Sequence, residues 1–415
     1  MDLLTTISVV SAITAVLSWI SLRWLKTTTI GVPALTAFAA VALVSGGNRL
    51  SGIRQWCANL TAVFDPSRLF FYVVVPLLLF TASSCFGFNP LGRKHIASSG
   101  TAIFRGLLTA FGVAGVISSI SRGAIDWSEC MLFGSLVSAT DSVGQARLLA
   151  HSSASGNLRR QLIRESIINS VFAASLFIAI LQLTQSESSA AWKSTLLLLI
   201  QAVGGVMLGL AAGWAGARAI DGLEDRATTV LVVGALLCIA FLTSQNFGLA
   251  GPLEAVASGL AFRLSSCDRQ REDVEETPSP DFWNAIADIE NSVLFVMLGL
   301  WIAANGMNAT AITAGLAGLL ATLLVRFAST RIAILHFSKR GFWERRSALL
   351  HVLGGCRGGI PIALALAVPY PATRSWILGA TFIVTVFSTV VQAGTIGWIS
   401  PFGGRKAGQS DLAAN

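Results

Sequence analysis

The sequence predicts an all-α polytopic membrane protein with about 13 transmembrane helices, forming one transmembrane domain over residues 1–400. Three observations predict it. The chain is 53% hydrophobic and only 12% charged, with a mean hydropathy of +0.69; soluble domains carry about 25% charged residues. Apolar runs of about 20 residues recur along the whole chain, continuous rather than alternating, which favours helices over a β-barrel. The basic residues gather in the short connections between those runs, and mostly on alternate connections.

In order, the apolar runs cover about 4–22, 28–45, 69–87, 98–120, 131–150, 165–184, 194–217, 228–245, 249–264, 283–303, 310–330, 347–368 and 376–398. The first has no basic segment ahead of it and no clear cleavage site, so it reads as a retained span. The run at 194–217 carries Gly204, Gly205, Gly209 and Gly213, a small-residue spacing that lets helices approach closely in lipid. The connection at 264–282 mixes both charge signs and contains Pro278 and Pro280, so it reads as solvated. Residues 401–415 read as a short cytoplasmic tail with no appended regulatory domain.

Of the 29 Lys and Arg residues, twenty fall on one side of the spans and six on the other (Arg49, Arg54, Arg68, Arg122, Lys193 and Arg374), while Arg105, Arg326 and Arg357 lie within spans. The rich side is expected to be cytoplasmic, which puts the N-terminus outside and the C-terminus inside. The net charge of +8 follows from these loops and does not indicate a nucleic-acid partner. The six Cys form no paired motif, and the four His (95, 151, 336 and 351) are too scattered for a metal site. No cofactor, metal or catalytic motif is expected.

Charged groups inside apolar runs are costly, and are normally paired, cavity-facing and functional. Three stretches carry them. Asp141 follows the apolar run 130–139 in Ser138-Ala139-Thr140-Asp141. It either marks a span end, capping the next helix, or sits where a helix is interrupted; unwound carbonyls and half-helix ends form ion sites in transporters. Glu165, Ser166, Asn169 and Ser170 lie at i, i+1, i+4 and i+5, one polar stripe of a helix. Such a stripe either glues helices together or lines a cavity. Arg357 sits in Gly354-Gly355-Cys356-Arg357-Gly358-Gly359, and Glu165 is its expected ion-pair partner.

The pattern Thr140-Asp141, then Glu165-Ser166-x-x-Asn169, then Gly354-Gly355-x-Arg357-Gly358 resembles the monovalent cation:proton antiporters, in particular the NhaP-like sodium/proton exchanger branch. Supporting context lies at Val75–Phe80, Leu249–Leu260, Asn291–Phe295 and Arg357–Pro369, so the resemblance spans nearly the whole chain. It implies an NhaA-like fold of inverted repeats with two crossed broken helices. It further implies a dimerisation part at about 1–90 and 228–303, a core part at about 98–184 and 310–398, and a homodimer in a bacterial inner membrane. The implied activity is exchange of Na+ or K+ for protons by alternating access. Thr140 would offer its carbonyl, Asp141 would balance helix-end dipoles, Glu165 would pair with Arg357, and Ser166 and Asn169 would line the ion site.

Two positions depart from that family. Its ion-binding Asp is replaced by Ser170, and the acid that often follows Leu-Leu-Phe in the third span is replaced by Thr81. Hydroxyls can coordinate a cation but do not titrate near neutral pH, as proton exchange requires. The ion site is therefore expected to be atypical, built from Thr81, Thr140, Asp141, Ser166, Asn169 and Ser170. Of the further acids, Glu254 reads first as a helix-packing or interfacial residue and Asp288 and Glu290, near a span start, as water-facing, with substitution for the missing carboxylates the alternative for each. An uncoupled or repurposed transporter and a non-transporting membrane scaffold are the alternative readings.

Overall fold

A computed structural model describes residues 3–24, 28–63, 70–84, 93–142, 144–145, 149, 156–185, 191–220, 226–267, 280–337 and 352–395. The described residues form helices and no strand. In chain order these are α1 (Leu3–Trp24), α2 (Thr28–Ser45), α3 (Ser51–Val63), α4 (Val75–Ser84, entered through a π turn at Phe70–Val74), α5 (Arg93–Ser121), α6 (Trp127–Ser138) and α7 (Gly156–Gln185). They continue as α8 (Ala191–Ala219), α9 (Arg226–Asn246), α10 (Gly251–Cys267), α11 (Pro280–Asn305), α12 (Ala309–Phe337), α13 (Gly359–Leu366) and α14 (Pro371–Phe387, prolonged by a π turn at Ser388–Gln392).

Each of the thirteen expected apolar runs carries helix. Among the described residues, eight helices are long and apolar enough to cross a membrane, and two shorter apolar helices cover Ile30–Ser45 and Tyr72–Ser84. Two expected runs, 131–150 and 347–368, are interrupted: α6 stops at Ser138 and α13 starts only at Gly359. The expected tail at 401–415 lies outside the described residues.

The sequence reading did not anticipate α3. It is only half apolar, burying Cys57 and Leu60 while Arg54 donates from Nε to the carbonyl of Ala303, near the C-terminal end of α11.

Close approach of backbones holds the bundle together. Gly205, Gly209 and Gly213 present one face of α8 to α10, and a Cβ at these positions would strike the carbonyls of Ala250, Glu254 and Ser258 in turn. In lipid this replaces hydrophobic burial as the source of helix association. Elsewhere α6 packs on α5 through Gly134, and α12 packs on α14 through Gly315. Glu129, in the first turn of α6, accepts from Thr373 Oγ1 (2.6 Å) and Trp376 Nε1 (3.2 Å) of α14. At the centre lies α13, with all eight residues buried and contacts to α4, α6, α7, α11 and α14. A helix that is apolar all round belongs in such a position.

The glycine face is directly testable. Gly213→Val puts a branched side chain against the Ser258 carbonyl and is expected to cost about 1–3 kcal/mol. Gly216→Ala, whose Cβ would meet nothing nearer than 3.7 Å, should leave thermal stability in detergent unchanged or raised. Equal melting temperatures for Gly213→Val and the parent protein would show that this contact does not limit packing.

Candidate functional site at the helix crossing

The site is built from the two interruptions. At the end of α6, Ala139 turns to extended backbone (φ −63°, ψ 142°), and the helical ladder stops. Residues 355–358 are also non-helical before α13 begins. Unwound backbone at membrane depth must find its partners within the protein. Here the two stretches satisfy each other: Asp141 N donates to the Cys356 carbonyl at 2.7 Å, and Gln145 Nε2 donates to the Gly354 carbonyl. Neighbouring helices supply the rest. Arg357 N donates to Ser388 Oγ (2.9 Å), Thr389 Oγ1 donates to the Arg357 carbonyl (3.0 Å), and Gly359 N donates to Asn291 Oδ1 (2.7 Å). Ser388 and Thr389 both lie in the π turn after α14, a distortion frequent at functional sites.

The charges meet helix ends. Arg357 Nε donates to the Val137 carbonyl at 2.7 Å, and Nη1 donates to Gly355 at 3.2 Å. Val137 lies in the last turn of α6, where carbonyls lack helical partners and the dipole is negative. The Asp141 carboxylate accepts from Gly144 N at 2.9 Å and is wedged against Gly144 and Gly358, where any Cβ would collide with it. Gly358 caps the N-terminus of α13, the positive end. Each charge therefore faces a half-helix end of opposite sign.

This geometry corrects the expected pairing of Glu165 with Arg357. Glu165 Oε1 instead accepts from Arg105 Nη1 at 2.5 Å, with both side chains buried. The physical reason is that main-chain carbonyls already serve Arg357, while α7 packs along α5 and turns Glu165 toward it. Arg326 provides a third cation at the crossing, filling the space beside Gly355 where a Cβ would collide with its guanidinium.

Of the expected ion-site residues, three come together. Ser166 Oγ donates to Thr140 Oγ1 at 2.9 Å, and Ser170 Oγ donates to the Thr140 carbonyl at 2.5 Å. All three are buried. A carboxylate at position 170 could not donate in this way, so the serine closes the Thr140 carbonyl with a neutral bond. Asn169 is buried, and its Oδ1, which has no hydrogen-bond partner, lies on the side of Gly106. Thr81 is buried in α4, and its hydroxyl makes no bond to this group.

On the Asp141 side, a cavity of about 20 Å³ is lined by Pro33, Asp141, Asp288, Asn291, Ser292, Phe295 and Thr389. The four α11 residues fall at i, i+3, i+4 and i+7, one helical face. That period was available in the sequence; what the face opposes was not. Glu254 on α10 is fully buried, with neither carboxylate oxygen hydrogen-bonded. Glu290 shares that lack of partners and lies off the cavity face of α11.

Removing either member of the Arg105–Glu165 pair leaves an uncompensated buried charge. Arg105→Ala or Glu165→Ala alone is expected to cost about 3–5 kcal/mol, and the double variant much less than the sum. Pairing Arg357→Ala with Glu165→Ala should instead give additive losses. Thermal denaturation of the parent and the five variants measures this, and strong coupling between positions 165 and 357 would contradict the observed pairing.

Comparison with known proteins identifies the family and the fold. The family model described as sodium/hydrogen exchanger, transmembrane, matches residues 11–400. The Na+/H+ antiporter NhaP of Pseudomonas aeruginosa is 27% identical over 398 residues, covering 93% of each chain. The Na+/H+ antiporter NhaH of Halobacillus aidingensis is 26% identical over 381 residues, covering 88% of this chain and 90% of its own. The solved structure of the sodium proton antiporter MjNhaP1 from Methanocaldococcus jannaschii superposes with a TM-score of 0.69 at 17% identity, covering 95% of this chain and 100% of that one. The fold is thus the NhaA-like antiporter fold, and the chain belongs to the sodium/hydrogen exchanger family.

Proposed function

We propose that this protein is a secondary active transporter that exchanges monovalent cations, Na+ or K+, for protons by alternating access. The observation that carries this reading is Asp141: a carboxylate at the crossing of two interrupted spans, beside a small polar cavity. In transporters built this way, unwound carbonyls and half-helix ends coordinate the coupling ion. The names of the related antiporters support the same reading.

In this reading Asp141 carries the charge that cation and proton neutralise in turn. Thr140, Ser166 and Ser170 form a neutral polar cluster beside it, and Asn169 and Thr81, whose oxygens make no bond to that cluster, are further proposed ligands. Neither serine nor threonine hydroxyls release a proton near neutral pH, so the exchange rests on a carboxylate elsewhere at the crossing. The core part (about 98–184 and 310–398) would move against the dimerisation part (about 1–90 and 228–303) of a homodimer. The membrane would be a bacterial inner membrane.

Reconstituted in proteoliposomes with an internal pH dye, the protein is expected to move protons when Na+ or K+ is added outside. Asp141→Asn should reduce that flux at least tenfold. Flux of equal size from the Asn variant would remove Asp141 from the transport step. Orientation has its own test. The excess of Lys and Arg on one side supports an N-terminus outside and a C-terminus in the cytoplasm. A single Cys introduced at Gln409 in a variant lacking the six native Cys should resist impermeant maleimide in intact cells. Ready labelling would reverse the orientation.

A further inference from the structure

We propose that Asp288 is the second carboxylate of the cation site, and that a desolvated Na+ binds between Asp141 and Asp288 with Ser292 and Thr389 as neutral oxygen ligands. This rests on the exchange reading above and names where its cation sits.

The cavity lined by these residues measures about 20 Å³. One water needs roughly 10–15 Å³ on this measure, so the space suits a single small ion and no organic solute. Its lining is unusual for a span interior. Two carboxylates face one small volume, Asp141 from the unwound segment after α6 and Asp288 from the span of α11. A cation between two carboxylates is attracted by both, and more strongly in a low-dielectric setting than in water. Hard cations take oxygen ligands, and carboxylates with hydroxyls provide them.

The neutral residues are held in place by bonds that leave the cavity side open. Asn291 Oδ1 accepts from Gly359 N, which fixes the α11 face against the start of α13. Thr389 spends its hydroxyl proton on the Arg357 carbonyl, so its oxygen can only accept from, or ligate, what enters the cavity. Ser292 is the independent indication of a ligand. It is 6% exposed, lines the cavity, and has no hydrogen bond to any described residue. Its hydroxyl oxygen is therefore open to an ion that enters the cavity.

Asp288 also accounts for the substitution at position 170. There the hydroxyl of Ser170 is committed to the Thr140 carbonyl, so position 170 brings no charge to the site. Asp288 places a carboxylate in one cavity with Asp141.

Two readouts on the full chain test the proposal: the KM for Na+ in proteoliposome proton flux, and the rise in melting temperature that NaCl gives over choline chloride for detergent-purified protein. Asp288→Asn, eluting as the parent does, is expected to raise the KM for Na+ at least tenfold and abolish the Na+-specific stabilisation. Unchanged values in both would overturn the proposal. If Asp288→Asn does not fold, Ser292→Ala replaces it; a several-fold rise in KM supports the site, and a parental KM overturns it. The two readings fail separately. Absence of Na+-dependent flux from the parent protein counts against exchange. A Na+-specific melting shift that persists without Asp288 counts against this site alone.

Discussion

Backbone that leaves the helical ladder inside a bilayer has no water to turn to, and the structure is arranged around meeting that demand at one place. After Ser138 and before Gly359 two segments unwind, and their free N–H and C=O groups are taken up by each other and by α7, α11 and the turn after α14. Apolar α13 is buried to secure one end of the crossing, and Glu129 ties α6 to α14 at the far end of the other. Glycines at 144, 355, 358 and 359 exist for the same reason. At each, a Cβ would strike Asp141, Arg326 or Asn291, so the side chains of the site fit only against bare backbone.

Charge follows the same logic. A guanidinium and a carboxylate at the crossing are each matched to a half-helix end, so neither needs the other as a partner. A direct ion pair, Arg105 with Glu165, lies between α5 and α7 and holds the polar stripe of α7 in register. Asp141 is thereby kept beside the cavity without being neutralised by Arg357. That is the condition an exchanger requires: a charge stable in the fold but open to cation and proton in turn.

Much of this was legible in the chain. The apolar runs give the helices, the Gly205–Gly209–Gly213 spacing marks a close helix contact that the structure makes with α10, and the 165–170 period marks the polar face that in the structure meets Thr140. What failed was partner choice. Arg105 lies 60 residues before Glu165, and a sequence shows that both are buried charges without showing that they face each other. Arg357 was paired with Glu165 because a guanidinium in an apolar run demands an acceptor; that the acceptor is a main-chain carbonyl depends on a break that composition does not reveal. The Asp288–Asn291–Ser292–Phe295 face has a clear helical period, but the period does not say which element it opposes. The amphipathic α3 escaped notice because half of it is polar.

The central claim is that cation and proton contend for one charged crossing. Proton release on cation binding tests it most directly. Purified protein in weakly buffered detergent solution is titrated with NaCl, with choline chloride as the control, while a pH dye records free protons. The account predicts a saturable release of protons by the parent protein and its loss in Asp141→Asn. Saturable Na+ binding with no proton release, or release undiminished in the Asn variant, would contradict it.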